Sequence, residues 1–427
     1  VGLLKPYSQE KQAILSRFQS VRNTTELIIK PLVYEDFVLS STDYTNPPKW
    51  HLAHTTWFFE NFVLKKMIKN YGPFRNDFNF LFSSYYKYVE SSLRSSIKKN
   101  LSRPTTQEIM TYRKIITEKI LDRMIDINEG EFSKLYTPLE QAIQHEQQHQ
   151  ELLIMDIKRN FYINPLRPKY NSHHSHVGYT GANVSWNNIP SGLVDIGVPK
   201  NHQEFSFDNE KDLHKRWIES CMLSSHLVTN EEYLHFIEEG GYENPVLWHD
   251  DGWALKEQEG WAAPLYWEKD GQEWWSFTLS GMMPLNPSAP VMHVNFYESM
   301  AFAKWKGARL PSEFEWEAAA KLEKSECAFL DSSEYTPESP NNDYKLYSQM
   351  HGALWEWTQS SYLPYPRFEK TQPALIDQSD RYMVNQFVLR GGSCVTPRSH
   401  YRVTYRNFHP PQSRWAFSGI RLAKDLD

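Results

Sequence analysis

Between residues 164 and 188 the chain changes character, and that change restricts it to two differently built halves. The stretch is made of Pro, Asn, Ser and Gly with His173, His174 and His176, and it holds no Asp or Glu, the composition of a connecting segment. Upstream, apolar residues recur at helical spacing. Residues 8–20 carry Ile14, Leu15 and Phe18, and 52–68 is long and amphipathic. Residues 105–127 set Ile109, Tyr112, Ile116 and Ile120 at steps of three to four, with Thr106 as a candidate N-cap. A fourth such stretch covers 136–161. Asn46-Pro47-Pro48 marks the start of the second helix, because proline is tolerated only in a first turn. Four long helices joined by loops predict an antiparallel bundle. Downstream the chain is rich in Gly, Pro, Trp and short apolar runs, and helical pattern returns only at 230–238, 297–306 and 312–321, which reads as α+β. The expectation is a multidomain chain: a helical bundle over 1–163, a linker over 164–188 and an α+β domain over 189–427. No internal repeat of fixed period is visible.

Composition narrows the function classes. The net charge of −6 comes with no basic stripe for nucleic acid and no polybasic or amphipathic segment for a membrane surface. No apolar run reaches membrane-spanning length, and residues 1–10, polar after Leu4, lack a signal-peptide core. Cys221, Cys327 and Cys394 stand too far apart for a disulfide framework or a thiolate metal site, so a reducing, cytoplasmic setting is expected. Aromatic residues form 15% of the chain, a surplus that is mostly core but also supplies faces for a cationic ligand. Oligomeric state is not legible.

The strongest local signal is His145-Glu146-Gln147-Gln148-His149. Two histidines four apart on a helix project from one face, so both imidazoles can reach one ion. A second pair, His51 and His54, lies on the second predicted helix, and bundle interiors host metal sites built from facing helices. One histidine of that pair would complete a three-imidazole face; spacing does not choose between them. The same five residues fit the zinc-peptidase pattern, with Glu146 as general base. That reading needs a third ligand downstream, yet no Asp or Glu occurs between Asp156 and Asp195.

The segment Pro47-Pro48-Lys49-Trp50-His51-Leu52-Ala53-His54-Thr55-Thr56-Trp57-Phe58-Phe59-Glu60, followed by 145–151, resembles the sulfoxide synthases of ergothioneine biosynthesis. The second half agrees through Pro290-Val291-Met292-His293-Val294-Asn295-Phe296 and Gly307-Ala308-Arg309-Leu310-Pro311-Ser312-Glu313-Phe314-Glu315-Trp316-Glu317. Trp355-Glu356-Trp357-Thr358, Arg390-Gly391-Gly392-Ser393 and Gly419-Ile420-Arg421-Leu422 follow in the family's order. The resemblance implies a DinB-like four-helix N-terminal domain and a C-terminal domain like the formylglycine-generating enzyme, of C-type-lectin fold. One departure is informative: where formylglycine-generating enzymes carry a reactive cysteine pair, Thr396 and Tyr401 stand here. The second domain is then expected to wall the active site, with Trp316, Trp355 and Trp357 as core.

Carried over residue by residue, the resemblance makes His54, His145 and His149 ligands of Fe(II), and His51 not. It implies Gln148 as a substrate contact and Tyr85 or Tyr86 as the catalytic proton donor, without choosing between them. Arg406-Asn407-Phe408-His409-Pro410-Pro411 falls where the second domain reaches over the iron. The implied substrates are O2, N-α-trimethylhistidine (hercynine) and a thiol, either cysteine or γ-glutamylcysteine. A related branch instead makes ovothiol from histidine. A quaternary ammonium offers no N–H donor, so aromatic faces such as Phe408 and Trp415 are expected to bind it. Asn407 and His409 complete the expected polar lining. A bidentate arginine should hold the substrate carboxylate, with Arg94 and Arg414 both available.

Overall fold

The computed structural model describes residues 6–83, 98, 100–171, 184–340, 346–369 and 382–426, in two compact units that meet between Asn171 and Ser172. Strand structure begins at Trp186, inside the stretch read from sequence as a linker.

The first unit is helical. Helix α1 spans Pro6–Ile29 and α2 spans Pro48–Phe59. Pro47 is the N-cap of α2 and Pro48 its first residue, where a missing N–H costs nothing. All twelve residues of α2 are buried, which identifies it as a core helix rather than an amphipathic one. It does not run on to residue 68 as one α-helix: a π-helical turn over Glu60–Leu64 intervenes before Lys65–Met67. The turn carries Glu60 inward, where its carboxylate accepts from the Tyr71 hydroxyl at 2.8 Å, the Phe74 N–H at 2.6 Å and the Tyr112 hydroxyl. These bonds tie down the loop leading to a short helix at Phe78–Phe82.

Helix α3, Thr106–Asp126, is capped by Thr105 rather than Thr106. The capping box needs an acid three residues on, and Glu108 answers to Thr105. Its stripe Ile109, Tyr112, Ile116 and Ile120 is fully buried. Helix α4, Glu129–Ile163, begins seven residues before the sequence pattern suggests, because Asn128 and Glu131 form another capping box. Pro138 is accommodated within it despite the backbone bond it cannot donate.

Among its described residues the second unit has four small sheets and four further α-helices. Strands β1 (Trp186–Ile189), β2 (Gly192–Ile196), β3 (His214–Ile218) and β4 (Cys221–Ser224) precede α5 (Asn230–Glu238) and α6 (Asp250–Glu259). Next come β5 (Trp267–Asp270), β6 (Glu273–Thr278), β7 (Gly281–Pro284), α7 (Phe296–Trp305) and α8 (Glu313–Ala320). Strands β8 (Trp355–Ser361), β9 (Phe387–Arg390), β10 (Asn407–His409), β11 (Ser418–Gly419) and β12 (Ala423–Asp425) close the chain. The sheets are ordered β1-β4-β12, β2-β3, β5-β6-β7 and β10-β9-β8-β11.

The sequence motifs of this half mate with one another inside it. Arg421 forks onto Glu356 at 2.8 and 3.0 Å, and the Trp316 indole N–H donates to the same carboxylate at 2.7 Å. Arg390 meets Glu317 at 2.6 Å, and Arg406 forks onto Glu313 at 2.7 and 2.9 Å. Trp316, Trp355 and Trp357 are fully buried, as expected of core residues. Gly391 has φ +104°, which strains any other residue, and a Cβ there would sit tightly, 3.2 Å from the Met350 carbonyl and 3.3 Å from the Trp316 ring. Thr396 and Tyr401 are buried with Cys394, and the Tyr401 hydroxyl pairs with His351 Nδ1 at 2.5 Å.

Candidate metal centre

Among the described residues, His54, His145 and His149 form a group whose offered nitrogens all lie within 4.8 Å of one another. His54 comes from the middle of α2, and the other two from successive turns of α4. His54 Nε2 stands 3.2 Å from His145 Nε2. The other side of His54 is fixed: its Nδ1 donates to the Phe82 carbonyl at 2.6 Å. Its ring is sandwiched between Trp50 (4.5 Å, 11°) and Trp57 (5.7 Å, 16°), which sit four residues before and three after it on the same helix. Phe58 stacks on His145 at 4.2 Å.

His51 takes a different role. Its Nε2 pairs with Asp156 Oδ2 at 3.0 Å and its Nδ1 with His149 Nδ1 at 2.8 Å, so both ring nitrogens are engaged and it stands behind His149. The ambiguity left by spacing is thus resolved at the level of geometry, with His54 in the cluster and His51 outside it.

The electrostatics suit a cation. Burial pushes His54 down to about 3, against the Phe82 carbonyl, which favours the proton. His149 is also held well below the ordinary histidine value, by burial and then by the neighbouring rings. Neutral imidazoles with free lone pairs are the form in which histidine binds a metal. Among the described residues three imidazoles converge without a carboxylate, a donor set that fits a divalent first-row ion with open positions.

Glu146 points into a separate ion cluster. Its Oε1 accepts from the Thr25 hydroxyl and Arg113, both at 2.6 Å, and its Oε2 from Arg22 at 2.8 Å. Burial pushes the Glu146 carboxyl up, but Arg113, Arg22 and the hydroxyl outweigh it and hold it below the usual range. A carboxylate with both oxygens occupied and a depressed pKa is a poor general base, which removes the physical footing of the peptidase pattern.

The other expected residues are dispersed. Gln148 is half-buried on α4, beside His149. Tyr85, Tyr86 and Arg94 lie outside the described residues. In the second unit, Asn407, Phe408 and His409 occupy β10, paired antiparallel with β9. Strand alternation sends Phe408 to the opposite face from its neighbours. Phe408 stacks on Tyr362 at 4.1 Å, whereas His409 meets Trp415 edge-on at 5.4 Å. Asn407 Oδ1 accepts from the Phe408 N–H at 2.9 Å, which fixes its side chain locally. Burial lowers His409 to about 4. Arg414 forks onto Glu298 at 2.7 and 3.0 Å through Nε and one terminal nitrogen.

Sequence reasoning missed Asp156 and the two tryptophans flanking His54. Their signals were present: Asp156 lies seven residues after His149, two turns along the same face, and Trp50 and Trp57 flank His54 at helical spacing.

The sequence profile of the sulfatase-modifying factor enzyme 1-like domain matches residues 183–345 and 332–426. A hercynine oxygenase of Mycolicibacterium smegmatis is 32% identical over 317 residues, covering 67% of this chain and 71% of that one. A hercynine oxygenase of Mycolicibacterium thermoresistibile is 30% identical over 326 residues, covering 67% and 68%. A formylglycine-generating enzyme of Thermomonospora curvata is 24% identical over 289 residues, 56% of this chain and 92% of that one. The chain therefore belongs to the hercynine oxygenase family, its second half carrying the sulfatase-modifying factor enzyme 1-like domain.

Proposed function

We propose that this chain is a non-haem iron, O2-dependent sulfoxide synthase that joins imidazole C2 of hercynine to the sulfur of cysteine or γ-glutamylcysteine. The observation that carries the proposal is the convergence of His54, His145 and His149 from two helices, in a chain whose relatives are named hercynine oxygenases. The helical unit is then a DinB-like four-helix bundle holding iron, 1–163, joined through 164–188 to a C-type-lectin-like domain over 189–427. The three cysteines are buried and not disulfide-bonded, in keeping with a reducing, cytoplasmic setting.

The overall change is balanced without an external reductant. The C2–H and S–H bonds break and the C–S and S–O bonds form. The four electrons released reduce O2, one oxygen atom entering the sulfoxide and the other leaving as water with both protons. Ferrous iron held by neutral imidazoles supplies dioxygen reduction and, by coordination, turns a thiol into a thiolate at neutral pH.

The remaining tasks belong to this chain's side chains. His54, His145 and His149 bring no negative charge, so the site's cationic character is kept for an anionic thiolate. The Trp50–His54–Trp57 stack and Phe58 against His145 hold two of the rings in place and keep water from their faces. Tyr85 or Tyr86 is assigned the proton donor, a neutral acid at pH 7 because a phenol ordinarily ionises near pH ~10. Gln148, beside His149, is assigned a hydrogen bond to substrate. Asn407, Phe408, His409 and Trp415 are assigned to substrate binding, and Arg94 to the substrate carboxylate.

The test is O2 consumption by anaerobically reconstituted protein. Uptake that requires iron, hercynine and a thiol together supports the proposal. Uptake with histidine in place of hercynine would point to the ovothiol-type reaction, and peptide hydrolysis without O2 to a peptidase.

A further inference from the structure

We propose that Asp156 and His51 form a relay that sets the ring orientation and the proton position of His149, so that His149 presents Nε2 to the metal. The inference rests on the metal role proposed above and adds two positioning residues to it.

The geometry is a continuous chain of three side chains. Asp156 Oδ2 accepts from the Asn46 backbone N–H at 2.9 Å and lies 3.0 Å from His51 Nε2. His51 Nδ1 lies 2.8 Å from His149 Nδ1. His51 and Asp156 are 2% and 1% exposed, so bulk water does not compete for these bonds. Asp156 follows His149 by seven residues on α4, and His51, on facing α2, bridges the two-turn gap.

Proton bookkeeping along the chain has one solution compatible with a metal. Across the 2.8 Å between His51 Nδ1 and His149 Nδ1, one nitrogen donates and the other accepts. If the carboxylate accepts from His51 Nε2–H, His51 Nδ1 is bare and accepts from His149 Nδ1–H. Nε2 of His149 is then the nitrogen left with a lone pair for the ion. The reverse polarity would put a proton on the nitrogen that must bind the ion.

His54 reaches the same end by a simpler device. A backbone carbonyl can only accept, so Phe82 fixes the proton on Nδ1 of His54 and leaves Nε2, 3.2 Å from His145 Nε2, as its unprotonated nitrogen. One ligand is therefore held by the backbone and another by a side-chain relay, a common way of tuning metal sites. The relay also explains why a second histidine sits three residues before His54 without joining the cluster.

The experiment measures cobalt(II) affinity of the full chain by its ligand-field absorption, with thermal melting recorded on each variant. His51→Leu removes both bonds, and loss of an outer partner of this kind typically weakens metal affinity about 10–100-fold. His51→Gln offers an acceptor and a donor on neighbouring atoms and is expected to regain most of that loss. Asp156→Ala leaves His51 in place and should weaken binding in the same direction, which keeps the test open if His51→Leu folds poorly. Wild-type affinity in both His51→Leu and Asp156→Ala overturns the relay, and so does a His51→Gln variant as weak as His51→Leu at an unchanged melting temperature. Failure of the underlying metal role looks different: wild-type protein would bind no cobalt, or His54→Ala would bind as tightly as wild type.

Discussion

Substituting Glu146 by glutamine separates two roles that the His-Glu-x-x-His pattern leaves open. In the structure Glu146 is 0% exposed and neutralises Arg22 and Arg113, which are 2% and 1% exposed. Glutamine keeps the shape and one acceptor oxygen, but it removes the charge and turns an N–H2 group toward an arginine donor. Breaking a buried ion pair by removing one partner typically costs about 3–5 kcal/mol, because the remaining charge is stranded. The shared oxygen and the Thr25 hydroxyl soften this, so about 3 kcal/mol is the expected loss. For a unit of this size each kcal/mol lowers the melting temperature by roughly 2–4 °C, giving a fall of about 6–12 °C in the helical unit's transition. The assay is thermal melting followed by far-UV circular dichroism, paired with metal content at a temperature where the variant is folded. Metal content should stay at the wild-type level, since Glu146 is not in the histidine cluster. An unchanged melting temperature with lost hydrolytic activity would refute this reasoning and restore Glu146 as a general base.

Other outcomes follow from the same geometry. Tyr85→Phe or Tyr86→Phe should keep metal and substrate binding, and the variant lacking the true proton donor should slow coupling by about 100-fold or more in single-turnover assays. Glu356→Gln should destabilise the second unit by about 3 kcal/mol, read as an earlier transition in urea, because it strands Arg421 and the Trp316 N–H. The metal-free protein should lose stability as pH falls below about 6.5, the ordinary histidine value. His54 and His149 stay neutral in the fold while the unfolded chain takes up protons, so each contributes up to about 1.4 kcal/mol per pH unit until its folded pKa is reached, about 3 for His54. Melting temperatures between pH 7 and 5 check this, and a flat profile contradicts it.

Much of the architecture was legible in the chain, for identifiable reasons. The apolar stripes of α3 and α4 and the prolines before α2 are local signals, and the structure uses them as local signals. The starts of α3 and α4 were misplaced because capping boxes at Thr105–Glu108 and Asn128–Glu131 override a reading made from apolar periodicity. The π turn at Glu60 was invisible because its cause is tertiary: the Tyr71 and Tyr112 hydroxyls and the Phe74 N–H converge on one buried carboxylate. At the site, spacing brought His145 and His149 together but could not rank His51 against His54. That choice depends on what each ring's second nitrogen meets, Asp156 for one and the Phe82 carbonyl for the other. The Arg414–Glu298 fork was equally hidden, because it joins residues 116 apart in the chain.

The most direct test of the central claim is the ring chemistry of the product. Iron-loaded protein given hercynine, cysteine or γ-glutamylcysteine, and 18O2 should yield a thiol–hercynine adduct with one labelled oxygen on sulfur. Its imidazole C2 proton signal should be gone and the other ring proton retained. Recovery of unmodified hercynine alongside oxidised thiol, or an adduct that keeps the C2 proton, would contradict the account.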